Sequence, residues 1–269
     1  MNSRILPTKR VEKVWGRSPL PPPFALPGDA ERIGEIWFEP SDAMPDVLVK
    51  YLFTSEKLSV QVHPSGAASP TGRGKEECWL ILAAEPGARL AMGFTQSLDA
   101  EAMRAAALDG SIEDLLEWRT VEPGDFFYIP AGTVHAIGQG LTLLEVQQNT
   151  DITYRLYDYD RPRELHLDAA IAVASGKPYP AGLHRKVAPD AEAVLVDGPH
   201  FRLFQLHGEP SADMLGRLQG PMQVLPLSGD VAVSDARIAP GSSAMASNID
   251  EVEFGTAART LIACSAGQS

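Results

Sequence analysis

The sequence predicts a mainly β protein, a sandwich or barrel in place of an α/β fold. Three observations lead there. Short apolar runs alternate with polar residues at period two along most of the chain. Glycine and proline, 23 and 22 of them in 269 residues, recur between these runs and turn the chain after each one. Helical spacing is confined to a few short stretches.

Taken in order, residues 17–28 are too rich in proline and glycine for a regular element and read as an extended loop. From about residue 33 strands begin. Ile36 and Phe38 alternate with polar neighbours, Val47-Leu48-Val49 leads into Lys50-Tyr51-Leu52-Phe53, and Leu58, Val60 and Val62 alternate with Ser59, Gln61 and His63. A further strand runs over 77–82. Leu98, Ala102, Ala105 and Leu108 recur at helical spacing, with Ser97 as N-cap and Gly110 as the stop. Ser111 opens a second short helix, with Asp114 completing a capping box and Ile112, Leu115 and Leu116 as its apolar face. This insert at 97–118 reads either as a wall beside a site or as a helical hairpin packed on a sheet.

Strands resume at 126–129 and 141–147. A short helix is expected over 166–175, with Leu167, Ala170, Ile171 and Ala174 on one face. Residues 176–190 read as a linker, and strand patterns return at 201–206, 223–227, 231–233 and 260–264. Two β units are therefore expected, 1–180 and 181–269. Glu122-Pro123-Gly124-Asp125 resembles Ala239-Pro240-Gly241-Ser242, which hints at a repeat. His135 lies eleven residues after Gly124, and the same count from Gly241 reaches Val252, so the second unit is expected to carry no metal ligands.

Hydrophobic residues make up 44% of the chain, which excludes a disordered protein. A net charge of −12 speaks against nucleic-acid binding but leaves room for a small phosphorylated substrate held in a local basic pocket. Cys78 and Cys264 sit in apolar runs and read as buried free thiols. No signal-peptide h-region and no run long enough to span a membrane is visible, so a soluble cytoplasmic protein is expected.

The chemistry is expected at three places. On a strand, Ser59, Gln61 and His63 share one face, and three polar side chains inside a barrel need partners, which a metal and a polar ligand would supply. The same pattern also fits a sheet face that meets water. Lys75 and Glu77 share a face two residues apart, either as a solvated edge or as a site; parity groups Glu77 with Lys75 and Trp79 and puts Glu76 opposite. In Gly124-Asp-Phe-Phe-Tyr-Ile-Pro130-Ala-Gly132-Thr-Val-His135, a tight turn, an inward aromatic strand and a second turn deliver His135 to a return strand. This segment resembles the second signature motif of the cupin superfamily, whose histidine ligates a metal. Together Gln61, His63, Glu77 and His135 offer an amide oxygen, a carboxylate and two imidazoles, a set suited to Zn²⁺ and borderline divalent ions. His166, His184, His200 and His207 lack such a frame and read as surface or core histidines.

Val49-Lys50, Leu58-Ser-Val-Gln-Val-His-Pro64, Gly74-Lys-Glu-Glu-Cys-Trp79, Ile129-Pro-Ala-Gly-Thr-Val-His-Ala136 and Arg163-Glu-Leu-His166 resemble the class I mannose-6-phosphate isomerases, in the family's order and near its spacing. The likeness to the short bacterial form runs from about residue 6 to 176 and weakens beyond. It implies a cupin jelly-roll barrel with a small helical insert, followed by a second, degenerate jelly-roll-like β domain. It also implies one zinc ion on Gln61, His63, Glu77 and His135, and a sugar-phosphate substrate whose mannose and fructose forms interconvert through a cis-enediolate. Arg155 matches the family's active-site arginine and Lys75 the lysine of its Lys-x-Glu motif. Lys50 and Ser59 match positions near the substrate phosphate. Glu145 stands ten residues before Arg155, where eukaryotic relatives carry a glutamate proposed for proton transfer. Two departures, Ser65-Gly66 after Pro64 and a shortened stretch between Trp37 and Lys50, bear on the pocket mouth. The alternatives are a non-catalytic sugar-phosphate-binding cupin that keeps the fold, and a cupin dioxygenase using Fe²⁺, whose His-x-His pair is replaced here by Gln61-x-His63.

Overall fold

The computed structural model describes residues 4–26, 28 and 30–266. Its first half is built from two antiparallel sheets. Seven strands lie in the order Thr8–Arg17, Ile33–Phe38, Val47–Phe53, Leu141–Gln148, Glu77–Ala84, Asp125–Ile129 and His184–Lys186. Five strands form the second sheet, in the order Tyr154–Tyr157, Val60–Val62, His135–Ile137, Arg89–Phe94 and Leu116–Thr120. Leu52, Trp79, Ile81, Leu141 and Leu143 of the first sheet pack with Leu90, Met92 and Ile137 of the second, closing one end of the sandwich with apolar side chains.

The second half repeats this plan. Ala193–Asp197, Phe201–His207, Arg259–Ser265, Met222–Ser228 and Ala244–Ala246 form one sheet, and Ala236–Ile238, Val231–Val233 and Val252–Phe254 the other. The connectivity of the shared strands matches. Arg259–Ser265 lies between Phe201–His207 and Met222–Ser228 as Leu141–Gln148 lies between Val47–Phe53 and Glu77–Ala84. Gly124 and Gly241 both take left-handed turns, with φ of 92° and 86°. His135 and Val252 each open a strand after those turns. The counterpart of Val60–Val62 is missing: between Phe201–His207 and Met222–Ser228 the chain forms the helix Ala212–Arg217 instead.

The two halves share a core. The outer face of the seven-stranded sheet, with Phe38, Tyr51, Phe53, Leu80, Leu144 and Val146, packs on Phe201, Leu203, Leu225, Leu261 and Ala263. The strand His184–Lys186 pairs with Asp125–Phe127, tying residues beyond 180 into the first half's sheet. Cys78 and Cys264 are buried free thiols, as expected. No helix among the described residues is long and apolar enough to cross a membrane.

Four local expectations are corrected. Thr8–Arg17 is a strand that the reading from residue 33 onward leaves out. Its alternate residues Lys9, Val11, Lys13 and Trp15 face a polar cavity, so the period-two apolar signal is lost. The first helix is Ala100–Asp109, capped by the Asp99 carboxylate accepting the Ala102 N–H at 2.8 Å, while Ser97 lies outside. It buries Met103, Ala106 and Ala107 against the helix Leu167–Val173 and leaves Leu108 68% exposed, a different face from that expected. The Ser111 hydroxyl bonds back to Asp109 at 2.6 Å and makes no capping box. The helix it precedes is a single turn, Ile112–Leu115, and Leu116 already belongs to a strand paired with Arg89–Phe94. The expected helix near 166–175 runs Leu167–Val173, with Ala170 buried and Leu167, Ile171 and Ala174 packed beside it.

Candidate metal centre and active-site cavity

Strand register places the polar residues in two rows. On the seven-stranded sheet Trp37 pairs with Lys50, Lys50 with Glu145, and Glu145 with Trp79. On the five-stranded sheet Arg155 pairs with Gln61 and Gln61 with His135. Direct cross-strand partners present their side chains to the same face. Ser59, Gln61 and His63 therefore turn inward together, while Leu58, Val60 and Val62 join apolar clusters.

The innermost group is His63, Glu77 and His135, all buried, with candidate ligand atoms within 4.8 Å of one another. Each imidazole has its Nδ1 against a backbone carbonyl, His63 on Ile152 at 2.8 Å and His135 on Thr133 at 2.9 Å. A carbonyl only accepts, so Nδ1 carries the proton and each Nε2 presents a lone pair. Both Nε2 atoms lie 3.6 Å from a Glu77 oxygen. Ligands about 2.1 Å from a tetrahedral zinc stand about 3.4 Å apart, so the spacing fits such an ion. Burial, with the Lys75 charge adding to it, holds His63 well below the usual histidine range. Burial likewise takes His135 down to about 4. Both rings are thus neutral at pH 7, as ligands must be. Burial pushes the Glu77 carboxyl up to about 7 although Lys75 opposes this, and Glu77 Oε1 has no hydrogen-bond partner. A buried carboxylate with an idle oxygen beside two imidazole lone pairs is a cation site by its donor set. Gln61 stands at its edge, its amide 3.2 Å from His135 Nε2 and its other end accepting the Ser59 hydroxyl at 3.1 Å.

Glu76 faces the other way, as parity requires, and takes the Tyr128 hydroxyl. Lys75 turns inward. Its ammonium lies 3.0 Å from His63 Nε2 and 2.6 Å from Glu77. Burial alone would lower its pKa, but the Glu77 and Glu145 carboxylates outweigh burial and raise it. Glu145 is held below its usual range: burial acts upward, and Lys75 and Lys50 outweigh it. Lys50 stands 3.2 Å from Glu145, and the Trp79 indole N–H donates to the other oxygen at 2.9 Å.

Above this group opens a cavity of about 470 Å³, lined by Lys50, Ser59, Gln61, Lys75, Glu145 and Arg155 among the expected residues. Its walls also include residues to which the sequence reading gives no role in the site: Lys9 and Lys13 from the first strand, Glu35 and Trp37 from the next, and Asp151, Arg163 and His166 around Arg155, the last two known there only as the ends of the Arg163-Glu-Leu-His166 motif. Glu35 and Trp37 stand two apart and Lys9 and Lys13 four apart, spacings that share a strand face and that a period-two search for polar residues would have found. His166, read as a surface or core histidine, accepts the Arg155 backbone N–H at 3.2 Å. The Trp37 ring lies under the Lys50 ammonium at 4.5 Å, and its N–H donates to Glu35 at 2.8 Å.

Fold and site together define a cupin-type double β sandwich with a buried His–Glu–His group fit for a metal. The chain resembles the mannose-6-phosphate isomerases in sequence and shares the fold of solved members. No protein-family model matches it. It is 39% identical over 172 residues to the mannose-6-phosphate isomerase of Streptococcus mutans, covering 59% of this chain and 54% of that one. It is 44% identical over 137 residues to the mannose-6-phosphate isomerase ManA of Bacillus subtilis, covering 47% of this chain and 43% of that one. The matched segment thus spans about half the length of these curated relatives. The crystal structure of the mannose 6-phosphate isomerase from B. subtilis superposes with a TM-score of 0.76 at 22% identity over 97% of this chain and 98% of that one. A structure described as a putative mannosephosphate isomerase from Archaeoglobus fulgidus gives 0.73 at 17% identity, covering 98% of each chain.

Proposed function

We propose that this chain is a zinc-dependent aldose–ketose isomerase that interconverts D-mannose 6-phosphate and D-fructose 6-phosphate. One observation carries the reading: two neutral imidazoles turn their lone pairs onto a buried carboxylate beneath a cation-rich cavity, in a chain of net charge −12. Lys9, Lys13, Lys50, Lys75, Arg155 and Arg163 line that cavity against Glu35, Glu145 and Asp151. Such a balance selects an anionic small molecule over a neutral sugar. The sequence relatives and the shared fold support the same reading.

Gln61, His63, Glu77 and His135 would hold the metal. When bound, it would supply Lewis-acid polarisation of the sugar's carbonyl oxygen. To ligate, Gln61 would turn its amide oxygen, which here accepts the Ser59 hydroxyl, in place of the nitrogen that now faces His135 Nε2. Arg155, across the strand from Gln61, brings positive charge toward the reacting end of the sugar. We assign the proton shift between C1 and C2, through a cis-enediolate, to Lys75 and Glu145, which share the cavity floor. A cation on Glu77 would weaken the largest influence that now holds the Lys75 proton. Lys50 and Ser59 bind substrate, and Lys50 also keeps Glu145 anionic. Residues 1–180 form the catalytic unit, 181–269 support it, and the protein works in the cytoplasm.

The test is a coupled assay for fructose 6-phosphate formed from mannose 6-phosphate. Turnover is expected, lost with a chelator and restored by zinc. No turnover with one zinc per chain bound would sink the reading. Lys75→Ala and Arg155→Ala are expected to lower kcat by about 10²–10⁴-fold with metal content unchanged; metal loss in either would make that residue structural.

A further inference from the structure

Two arginines share one buried carboxylate beside the cavity. The Asp158 side chain is 1% exposed, and Arg163 grips it with two parallel bonds, Nε to Oδ2 at 2.6 Å and Nη2 to Oδ1 at 2.5 Å. Arg161 reaches the same carboxylate at 2.8 Å and spends its Nη2 on the Lys57 carbonyl at 2.8 Å. The two arginines then part. Arg161 is tied to protein and does not line the cavity, whereas Arg163 does, with Nη1 uncommitted. A guanidinium has five N–H donors in a fixed plane, so fixing Nε and Nη2 also fixes where Nη1 points.

The backbone is held for this purpose. Tyr159 and Asp160, neither of them glycine, take consecutive left-handed conformations with φ of 53° and 58°. Such conformations persist only where the surroundings enforce them. Here the Asp158 carbonyl accepts the Arg161 N–H at 3.0 Å, the Arg155 carbonyl accepts the His166 N–H at 2.9 Å, and the His166 ring Nδ1 accepts the Arg155 N–H at 3.2 Å, folding 158–166 back onto the strand Tyr154–Tyr157. The loop thereby carries Arg163 to the mouth beside Arg155.

We propose that Arg163 binds the phosphate of the sugar phosphate, and that Asp158 is the positioning residue that presents it; this rests on the isomerase reading. One-quarter exposed and pre-aimed, the guanidinium offers its Nη1 donors to phosphate oxygens while the reacting carbons lie deeper, near Lys75. A contact made equally in ground and transition states acts on KM and leaves kcat alone.

The test uses the zinc-loaded full chain, with kinetics on mannose 6-phosphate and inhibition by inorganic phosphate. Arg163→Ala is expected to raise KM and the phosphate inhibition constant about tenfold or more, with kcat within about threefold. Asp158→Asn is expected to shift both constants in the same direction. Arg163→Lys is expected not to restore them, because an ammonium lacks the fork that Asp158 holds. A folded Arg163→Ala with KM and phosphate inhibition unchanged overturns the proposal, as does a fall in kcat at constant KM. If Asp158→Asn fails to fold, the Arg163→Ala variant decides alone. If the wild type shows no turnover at all, calorimetry with inorganic phosphate still discriminates: weaker binding to Arg163→Ala supports the assignment, and equal binding removes it.

Discussion

Lys50 and Glu145 form an ion pair inside the sandwich, 3.2 Å apart with each side chain only 4% exposed, stacked on Trp37 at one end and bonded to Trp79 at the other. Such a pair contributes little to net stability by existing, yet is costly to break, because removing one member strands the other charge in a low-dielectric interior.

Lys50→Met is therefore expected to lower unfolding stability at pH 7 by about 3–5 kcal/mol. The pH dependence carries a definite sign. Glu145 is held below its unfolded value in the native state, so its contribution is present above the ordinary carboxylate range and lost as pH falls through the depressed native value. The gap between wild type and variant should be widest near neutrality and close in acid. Urea unfolding across pH 3–7 measures it, and a gap that widens in acid would refute the assignment.

Gly132 has φ of 86° in the turn before His135, and a Cβ there would lie 2.9 Å from the Val173 carbonyl oxygen. Its N–H donates to the His63 carbonyl at 2.8 Å, so this turn positions both imidazoles. Gly132→Ala is expected to cost about 1–3 kcal/mol and to weaken metal binding, read by thermal denaturation and competition with a chromophoric chelator. Unchanged metal affinity in a destabilised protein would confine the role of this turn to folding.

Residues 1–180 alone are expected not to give a cooperatively folding monomer. Cutting there bares Phe38, Tyr51, Leu80, Leu144 and Val146 and removes the strand His184–Lys186 from its partner. Size-exclusion chromatography and circular dichroism melts check this. A monomeric, sharply melting fragment would show that the first sandwich stands without the second.

Much of the site was legible because it lies on strands. Period two alone groups Ser59, Gln61 and His63, and separates Glu77 from Glu76, since a strand alternates its faces whatever the tertiary context. The Gly124–Gly132 frame announces His135 because two left-handed turns need glycine. The rest of the cavity was hidden for two reasons. Lys9, Lys13, Glu35 and Trp37 line a polar hollow, so the apolar periodicity that marks strands is broken where the function lies. Arg163 and His166, visible in the sequence only as part of a family motif, sit in a loop whose return path follows from hydrogen bonds back to Arg155 and Asp158 and has no local pattern of its own. The helical insert misled for a related reason: its small residues leave several faces equally apolar, and contact with the helix Leu167–Val173 decides among them.

The repeat has a consequence for how the two halves can change. In register, Met222 takes the place of Glu77 and Val252 that of His135, and the interior of the second sandwich is mainly apolar, from Phe204 and Leu206 to Ile262 and Cys264, with Thr260 as a buried polar exception. An oily interior accepts volume-conserving exchanges at small cost, whereas a ligand or a buried ion pair accepts almost none. The second half is thus free to drift among Leu, Ile, Val and Met while its outline stays fixed. In a library of single substitutions, tolerance at interior positions should split along the chain: broad beyond residue 190, and near zero around the imidazoles.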